Sequence, residues 1–360
     1  MDLYDRSIEI ILANQAHSGA YPASPNFPTY RYSWYRDGSY IAYAMDLVGE
    51  HDSSRRFHQW AATVVNARAD TIRRAVAKAA HNEPLTGSDF LHTRYTIDGN
   101  EASGENWPDY QLDGFGTWLW SLNEHQRHTG IELDAKWRTA ATLVADYLTA
   151  LWARPSYDCW EEFPDNVHTH TLAAIHGGLV AHQAFDGADH RMTLAALSEF
   201  IETKTRMNGH YVKFPGSDAV DASLLGLAIP YRVVDLDHPG MLDTVAQIEA
   251  TLRKGGGVHR YPTDTFYGGG EWLLLTCWLA WYYLESGAYG EAQTAIDWVE
   301  AHVTAEGHLP EQVPENLNDP ACYGPWRERW GDSASPLLWS HAMYLVCETL
   351  RRHASKQSAN

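Results

Sequence analysis

An all-α architecture is predicted by three features of this 360-residue sequence. Apolar residues recur at helical spacing along the chain. No long run alternates with the period of two that marks a half-buried strand. The helical stretches also alternate in kind, one apolar on most faces following one that is amphipathic. Twelve stretches begin near Leu3, Asp37, Ser53, Asp113, Asp134, Thr169, Asp189, Asp218, Met241, Glu271, Gly290 and Ser333. Asp113 and Asp189 carry N-cap chemistry, since their carboxylates accept from the free N–H groups of a first turn.

The even-numbered stretches are apolar over residues 40–47, 118–122, 172–180, 222–229, 272–284 and 337–346. The odd-numbered ones carry charged faces, as at Arg55-Arg56, Arg73-Arg74 and Lys136-Arg138. A helix apolar all round is buried, and an amphipathic one lies outside it. Six inner and six outer helices predict a closed double ring, an (α/α)6 barrel, with an open helical solenoid as the alternative. No composition break divides the chain, so residues 1–360 are expected to form a single domain. Lys254-Gly255-Gly256-Gly257 is the nearest thing to a linker, but an apolar helix follows too closely.

Lys and Arg number 27 against 46 Asp and Glu, a formal charge of −19, which argues against a nucleic-acid partner. A hydrophobic fraction of 44% excludes a disordered chain. The 15 Trp and 20 Tyr suit an aromatic-rich core, and so many flat amphipathic rings also suit a site that stacks sugar rings. The first residues lack the pattern of a signal peptide, and the most apolar run, 272–284, is too short to span a bilayer. Cys159, Cys277, Cys322 and Cys347 form no CxxC pair and read as reduced thiols of a cytoplasmic protein with no membrane partner.

The loops that lead into the apolar helices hold most of the polar and aromatic clusters. They include Tyr30 to Asp37, Trp107 to Asp113, Tyr157 to Glu162, Phe214 to Asp218, His259 to Asp264, and His308 to Gln312 with Trp326 to Asp332. In an alternating barrel every such loop lies at the same end, so all six clusters are expected at one mouth. Taken singly, each cluster has a plainer reading. Arg36-Asp37 suits a helix-start ion pair, Glu161-Glu162 a solvated turn, and any one Trp a core position. His168, His170 and His176 have no metal-ligand spacing, and no GxSxG or GxxxxGK[ST] motif occurs. Neither a metal nor a cofactor is therefore expected. What remains is carboxylates, arginines and aromatic rings, and two carboxylates across a sugar can cleave a glycosidic bond.

These segments resemble glycoside hydrolase family 15, the glucoamylase-like enzymes, over almost the whole chain. The similarity rests on Trp34-x-Arg36-Asp37, Trp107 with Gln111 and Asp113, Tyr157-Asp158-x-Trp160-Glu161-Glu162, Arg260-Tyr261-Pro262-x-Asp264, Pro310-Glu311-Gln312 and Trp339-Ser340-His341. The resemblance implies an (α/α)6 barrel and inverting exo-hydrolysis of α-glucosides, with Glu161 as general acid and Glu311 as general base. It implies that Arg36, Asp37 and Arg260 hold hydroxyls of the terminal glucose. Trp34, Trp107 and Trp160 are expected to line the pocket, and Asp158 and Glu162 to lie beside the acid and bind the sugar. An acid must be protonated before reaction, so burial beside Trp160 and Glu162 should raise its pKa.

The chain departs from the family in two ways. It lacks the N-terminal β-sandwich and the starch-binding module of some members, which points to a small soluble oligosaccharide as substrate. His168 stands where an aromatic residue is usual before the Thr, which bears on pocket shape. The expected activity is an exo-α-glucosidase, with α-1,6 (isomaltose type) ahead of α-1,4 and trehalose third. A sugar epimerase or a disaccharide phosphorylase on the same barrel is the rival class.

Overall fold

The computed structural model describes residues 2–102 and 107–358. Thirteen α-helices run in order: α1 Leu3–Asn14, α2 Tyr35–Leu47, α3 His51–Asn66, α4 Ala69–Ala80, α5 Asp113–Thr129, α6 Ala135–Leu151, α7 Thr169–Asp186, α8 Arg191–Lys204, α9 Pro239–Leu252, α10 Leu273–Ser286, α11 Tyr289–Ala301, α12 Pro320–Trp330 and α13 Leu338–Ser358. The inner ring is α2, α5, α7, a short 3₁₀ helix Ala222–Leu227, α10 and α13. Each packs on the next and α13 closes onto α2, so the ring is a barrel and the open solenoid is excluded. The outer layer is α1, α3, α6, α8, α9 and α11, each packed on an inner element or on a strand beside one.

Burial explains the sorting. In α10 every residue from Leu273 to Leu284 is buried. In α8 only Leu197 and Ile201 are. The fourth inner element is the shortest, because Ile229 precedes Pro230, and a residue before proline is driven out of the α region. Asp221, not Asp218, caps it, accepting from the Ser223 N–H at 2.8 Å.

Two helices depart from the sequence reading. The stretch from Ser53 is two helices, α3 and α4, bent at Arg68 and not punctuated by Gly or Pro. The Arg68 guanidinium lies 4.4 Å over the Tyr95 ring, and α4 turns away to pack on α6. Helix α12 occupies what read as a loop. It buries no residue and contains Pro325, so it has no apolar period to reveal it. Asp113 also differs from expectation. It is the first residue of α5 and makes no cap hydrogen bond, its carboxylate being turned to Arg36 at 3.2 Å.

Three two-residue antiparallel pairs pin the loops. β1 (Ser33–Trp34) pairs with β2 (Arg94–Tyr95), β3 (Arg206–Met207) with β4 (His210–Tyr211), and β5 (Glu271–Trp272) with β6 (Gln312–Val313). β1 and β5 run directly into α2 and α10, so they fix the chain at the N-terminal end of the ring.

α5 and α7 make a close helix contact because glycines face each other across it. A Cβ on Gly116 would sit 2.4 Å from the Ala174 carbonyl oxygen, and one on Gly178 would sit 2.5 Å from that of Gly116. Gly116→Ala should therefore destabilise the fold by about 1–3 kcal/mol through overpacking. A lowered urea midpoint checks it, with Gly290→Ala in α11 as a control for a helical glycine without crowding, since nothing lies within 4 Å there.

Candidate active site

A cavity of about 690 Å³ opens at the N-terminal end of the inner ring. Every loop into an inner element reaches it except the one before Ala222–Leu227. The expectation of six converging clusters is thus corrected to five. The missing segment is used beneath the surface. Lys213 Nζ lies 2.8 Å from Asp158 and 2.6 Å from Asp221, and all three are buried. Burial alone would lower the Lys213 ammonium, but Asp221 and Asp158 hold it above its ordinary pKa.

The acid turn is built on that network. Asp158 Oδ1 accepts from the backbone N–H groups of Trp160 at 2.9 Å and Glu162 at 2.8 Å. The Trp160 indole donates to Asp221 at 3.0 Å. This closure holds Glu161 at φ 69°, a left-handed conformation that costs a non-glycine residue free energy. Nine of the ten site residues expected from sequence line the cavity: Trp34, Arg36, Asp37, Trp107, Trp160, Glu161, Glu162, Arg260 and Glu311. Asp158 does not. Its carboxylate is committed behind the turn, so it positions Glu161 and does not face the cavity. His168 is also behind it, its Nε2 2.9 Å from the Phe163 carbonyl.

Glu161 Oε1 accepts from the Trp34 indole at 2.6 Å and from Gln111 at 3.2 Å. Gln111 Oε1 in turn accepts from Arg36 at 3.0 Å. Arg36 is 3.4 Å from Asp37 and 3.2 Å from Asp113. Asp37 lines the cavity with its buried Oδ2 held against the Arg36 guanidinium. Arg260 is paired bidentately with Asp264, at 2.8 and 2.5 Å, and lies 3.5 Å from Glu162. Its guanidinium is 5.5 Å from the Trp160 ring and 5.2 Å from that of Trp272. Trp272 read as ring packing in the sequence. It lines the cavity instead, because it lies in β5 at the mouth, ahead of the buried part of α10.

Glu311 enters from another loop, just before β6, its backbone N–H tied to the Ala334 carbonyl at 2.9 Å. The Ser333 hydroxyl donates to it at 3.4 Å. Burial raises Glu311 to about 8, against the pull of Arg260 and the Tyr30 and Ser333 hydroxyls. Burial also raises Glu161, opposed by Arg36 and the surrounding N–H donors. Asp37 is raised to about 6 by burial, although Arg36 draws it down.

Sequence reasoning placed Tyr30 and Trp326 to Asp332 in the marked clusters without a role for each side chain, and it missed Arg94. Tyr30 is held near both acids, its hydroxyl feeling Glu311 and Glu161 and its ring 5.8 Å from that of Trp34. Arg94 is fully buried with its guanidinium 3.7 Å over the Trp107 ring, and Trp34 pairs with it across β1 and β2. Trp326, Arg329 and Trp330 reach the outer cavity from α12. Tyr30 sits in a loop that the motif already marked. Trp326, Arg329 and Trp330 belong to the sixth marked cluster, and Arg94 carries no local signal.

Asp158→Ala removes the acceptor of two backbone N–H groups and one partner of the buried Lys213 ammonium, and should cost about 3–5 kcal/mol. Asp158→Asn keeps that acceptor and should cost less. Denaturant unfolding of the two variants side by side measures the difference.

Comparison with known proteins agrees with this geometry. The family model described as glycosyl hydrolases family 15 matches residues 1–296. Isomaltose glucohydrolase of Kribbella flavida is 39% identical over 96% of this chain and 91% of its own. Trehalase 1 of Sulfolobus acidocaldarius is 25% identical over 74% of this chain and 49% of its own. Among solved structures, a wild-type glycosidase superposes with TM-score 0.93 at 39% identity, covering 97% of this chain and 96% of that one. A variant glycosidase in complex with glucose gives 0.92. A bacterial glucoamylase complexed with acarbose gives 0.76 at 21% identity, covering 98% of this chain and 55% of that one, which speaks to the barrel alone. With a matched family model over most of its length and a relative this similar over nearly all of it, the chain belongs to glycosyl hydrolases family 15 and is a glycoside hydrolase.

Proposed function

We propose that this protein is an inverting exo-α-glucosidase that releases β-glucose from the non-reducing end of small α-gluco-oligosaccharides, α-1,6 linkages first. The observation that carries the reading is a pair of glutamates, Glu161 and Glu311, facing one cavity from different loops. The cavity lies within a closed ring and opens at one end, so it admits a chain end and not a chain interior. Residues 1–360 act as one catalytic domain. The α-1,6 preference is supported by the name of the 39% identical relative, an isomaltose glucohydrolase.

Glu161, as general acid, protonates the leaving oxygen, and Glu311, as general base, takes a proton from the attacking water. Asp37, Arg36 and Arg260 orient the terminal glucose through its hydroxyls, and Trp34, Trp107 and Trp160 pack on its faces. Glu162 holds Arg260 and accepts from the Tyr261 hydroxyl at 2.5 Å. The second sugar unit rests against Trp326, Arg329 and Trp330 at the rim. No cofactor takes part, and the two carboxyls supply all the proton transfer the reaction needs.

Proton NMR of isomaltose hydrolysis tests this directly. β-Glucose should appear first and mutarotate later, and an early α-anomer would overturn inversion. In the same assay Glu311→Gln should lower turnover by at least about 100-fold while glucose binding persists. Faster release from trehalose than from isomaltose or maltose would favour the trehalase reading, which the 25% identical relatives motivate.

The productive pair carries one proton, with Glu161 protonated and Glu311 ionised. That singly protonated state exists between the two ionisations of the pair, whichever residue dominates each. The upper ionisation is set by Glu311 at about 8. kcat/KM, which reports the free enzyme, should therefore hold through neutral pH and fall near pH 8. A fall complete below pH 6 would contradict it.

A further inference from the structure

At the other end of the ring, three helices bring together residues that no sequence motif joins. Asp46 stands at the end of α2, His58 in α3 and His125 near the end of α5. Asp46 is nine residues beyond Asp37. At 1.5 Å per residue that is about 13 Å of helix away from the sugar cavity. The three side chains are 2%, 0% and 1% exposed. Each offers one ligand atom, and these atoms lie within 4.8 Å of one another.

Hydrogen bonding accounts for only part of the cluster. His125 Nδ1 lies 2.9 Å from Asp46 Oδ2. His58 has no partner at either ring nitrogen, and His125 Nε2 has none. Buried polar atoms without partners are uncommon and costly, and an ion is one of the few things that satisfies them. The rings are also held in place. His58 and His125 are 5.0 Å apart, and both pack on Trp137, at 5.8 and 5.9 Å.

The surroundings suit a metal. The Ser54 hydroxyl donates to Asp46 Oδ2 at 2.7 Å, a contact that orients a ligating carboxylate. His51 Nδ1 is 2.9 Å from Asp46 Oδ1 while its side chain is 42% exposed, which gives an ion a way in from solvent. Two imidazoles and one carboxylate are a borderline donor set. They favour Zn²⁺ and its neighbours over Mg²⁺ or Ca²⁺, which take oxygen ligands. Three protein ligands leave a fourth position for water or for His51.

We propose that Asp46, His58 and His125 bind one divalent transition-metal ion, Zn²⁺ by preference, as a structural tie between α2, α3 and α5. The ion stands apart from the sugar and takes no part in hydrolysis. Binding to the folded chain and not to the unfolded one raises stability by mass action.

Protein stripped with a chelator and titrated with CoCl₂ should take up one Co²⁺ per chain with a visible d–d absorption band. One equivalent of Zn²⁺ should bleach that band and raise the unfolding temperature. His58→Gln should weaken Co²⁺ binding by about 100-fold or more, with glucosidase turnover unchanged. His190→Ala should leave the band intact; His190 forms the other close histidine pair, 2.8 Å from His182. Uptake below one equivalent, or a band that survives in His58→Gln, overturns the site. X-ray absorption on Zn²⁺-loaded wild-type protein needs no folded variant. A shell with two imidazoles supports the site, and a shell without imidazole overturns it.

Discussion

The Lys213 ammonium, buried between Asp158 and Asp221, is the interaction on which the acid side of the cavity depends. It places one positive charge between two negative ones with almost no solvent. Such a group holds together only as a set, because removing one partner leaves an uncompensated buried charge. Asp158 uses its other oxygen to close the turn that carries Glu161, and Asp221 holds the Trp160 indole. The left-handed backbone of Glu161 persists because this network determines it from behind. The strain and the charge cluster are two sides of one arrangement.

The front of the cavity follows the same logic with different ions. Arg36 is shared by Asp113, Asp37 and Gln111, and Arg260 by Asp264 and Glu162. Burial alone would lower each guanidinium, yet the neighbouring carboxylates hold both above their ordinary pKa. Both arginines stay charged and fixed before any sugar arrives, so orientation adds little ordering cost on binding. The ring contributes as well. Its inner helices point their N-terminal ends at the cavity, where the helix dipole favours carboxylates.

The glutamate pair adds a constraint of its own. Burial raises both carboxyls above their ordinary values, and Arg36 and the N–H donors around Glu161 oppose its rise. The proposed roles need Glu311 ionised and Glu161 protonated. In the proposed mechanism substrate favours that placement in two ways: the attacking water donates to Glu311, and the leaving oxygen offers Glu161 an acceptor for its proton. Sugar binding and proton placement are thus linked steps.

Much of the barrel was legible because burial is written locally. An apolar helix such as α10 and an amphipathic one such as α8 differ in composition, and their alternation is enough to predict the ring. The clusters that line the cavity were legible for a related reason, since the loops into the inner helices hold dense aromatic and charged motifs. What could not be read depends on neighbours distant in sequence. Nothing local bends the chain at Arg68 or makes a helix of 320–330, which buries none of its residues. Asp158 looked like a sugar contact until Lys213 claimed it, and Trp272 looked like core until β5 set it at the mouth. Asp46, His58 and His125 lie on three helices with no shared spacing. The sequence by itself determined which residues would be buried and which loops carry chemistry, because hydrophobic period and residue type are local properties. Only the tertiary structure decided which charges face each other, because pairing is a matter of distance in space.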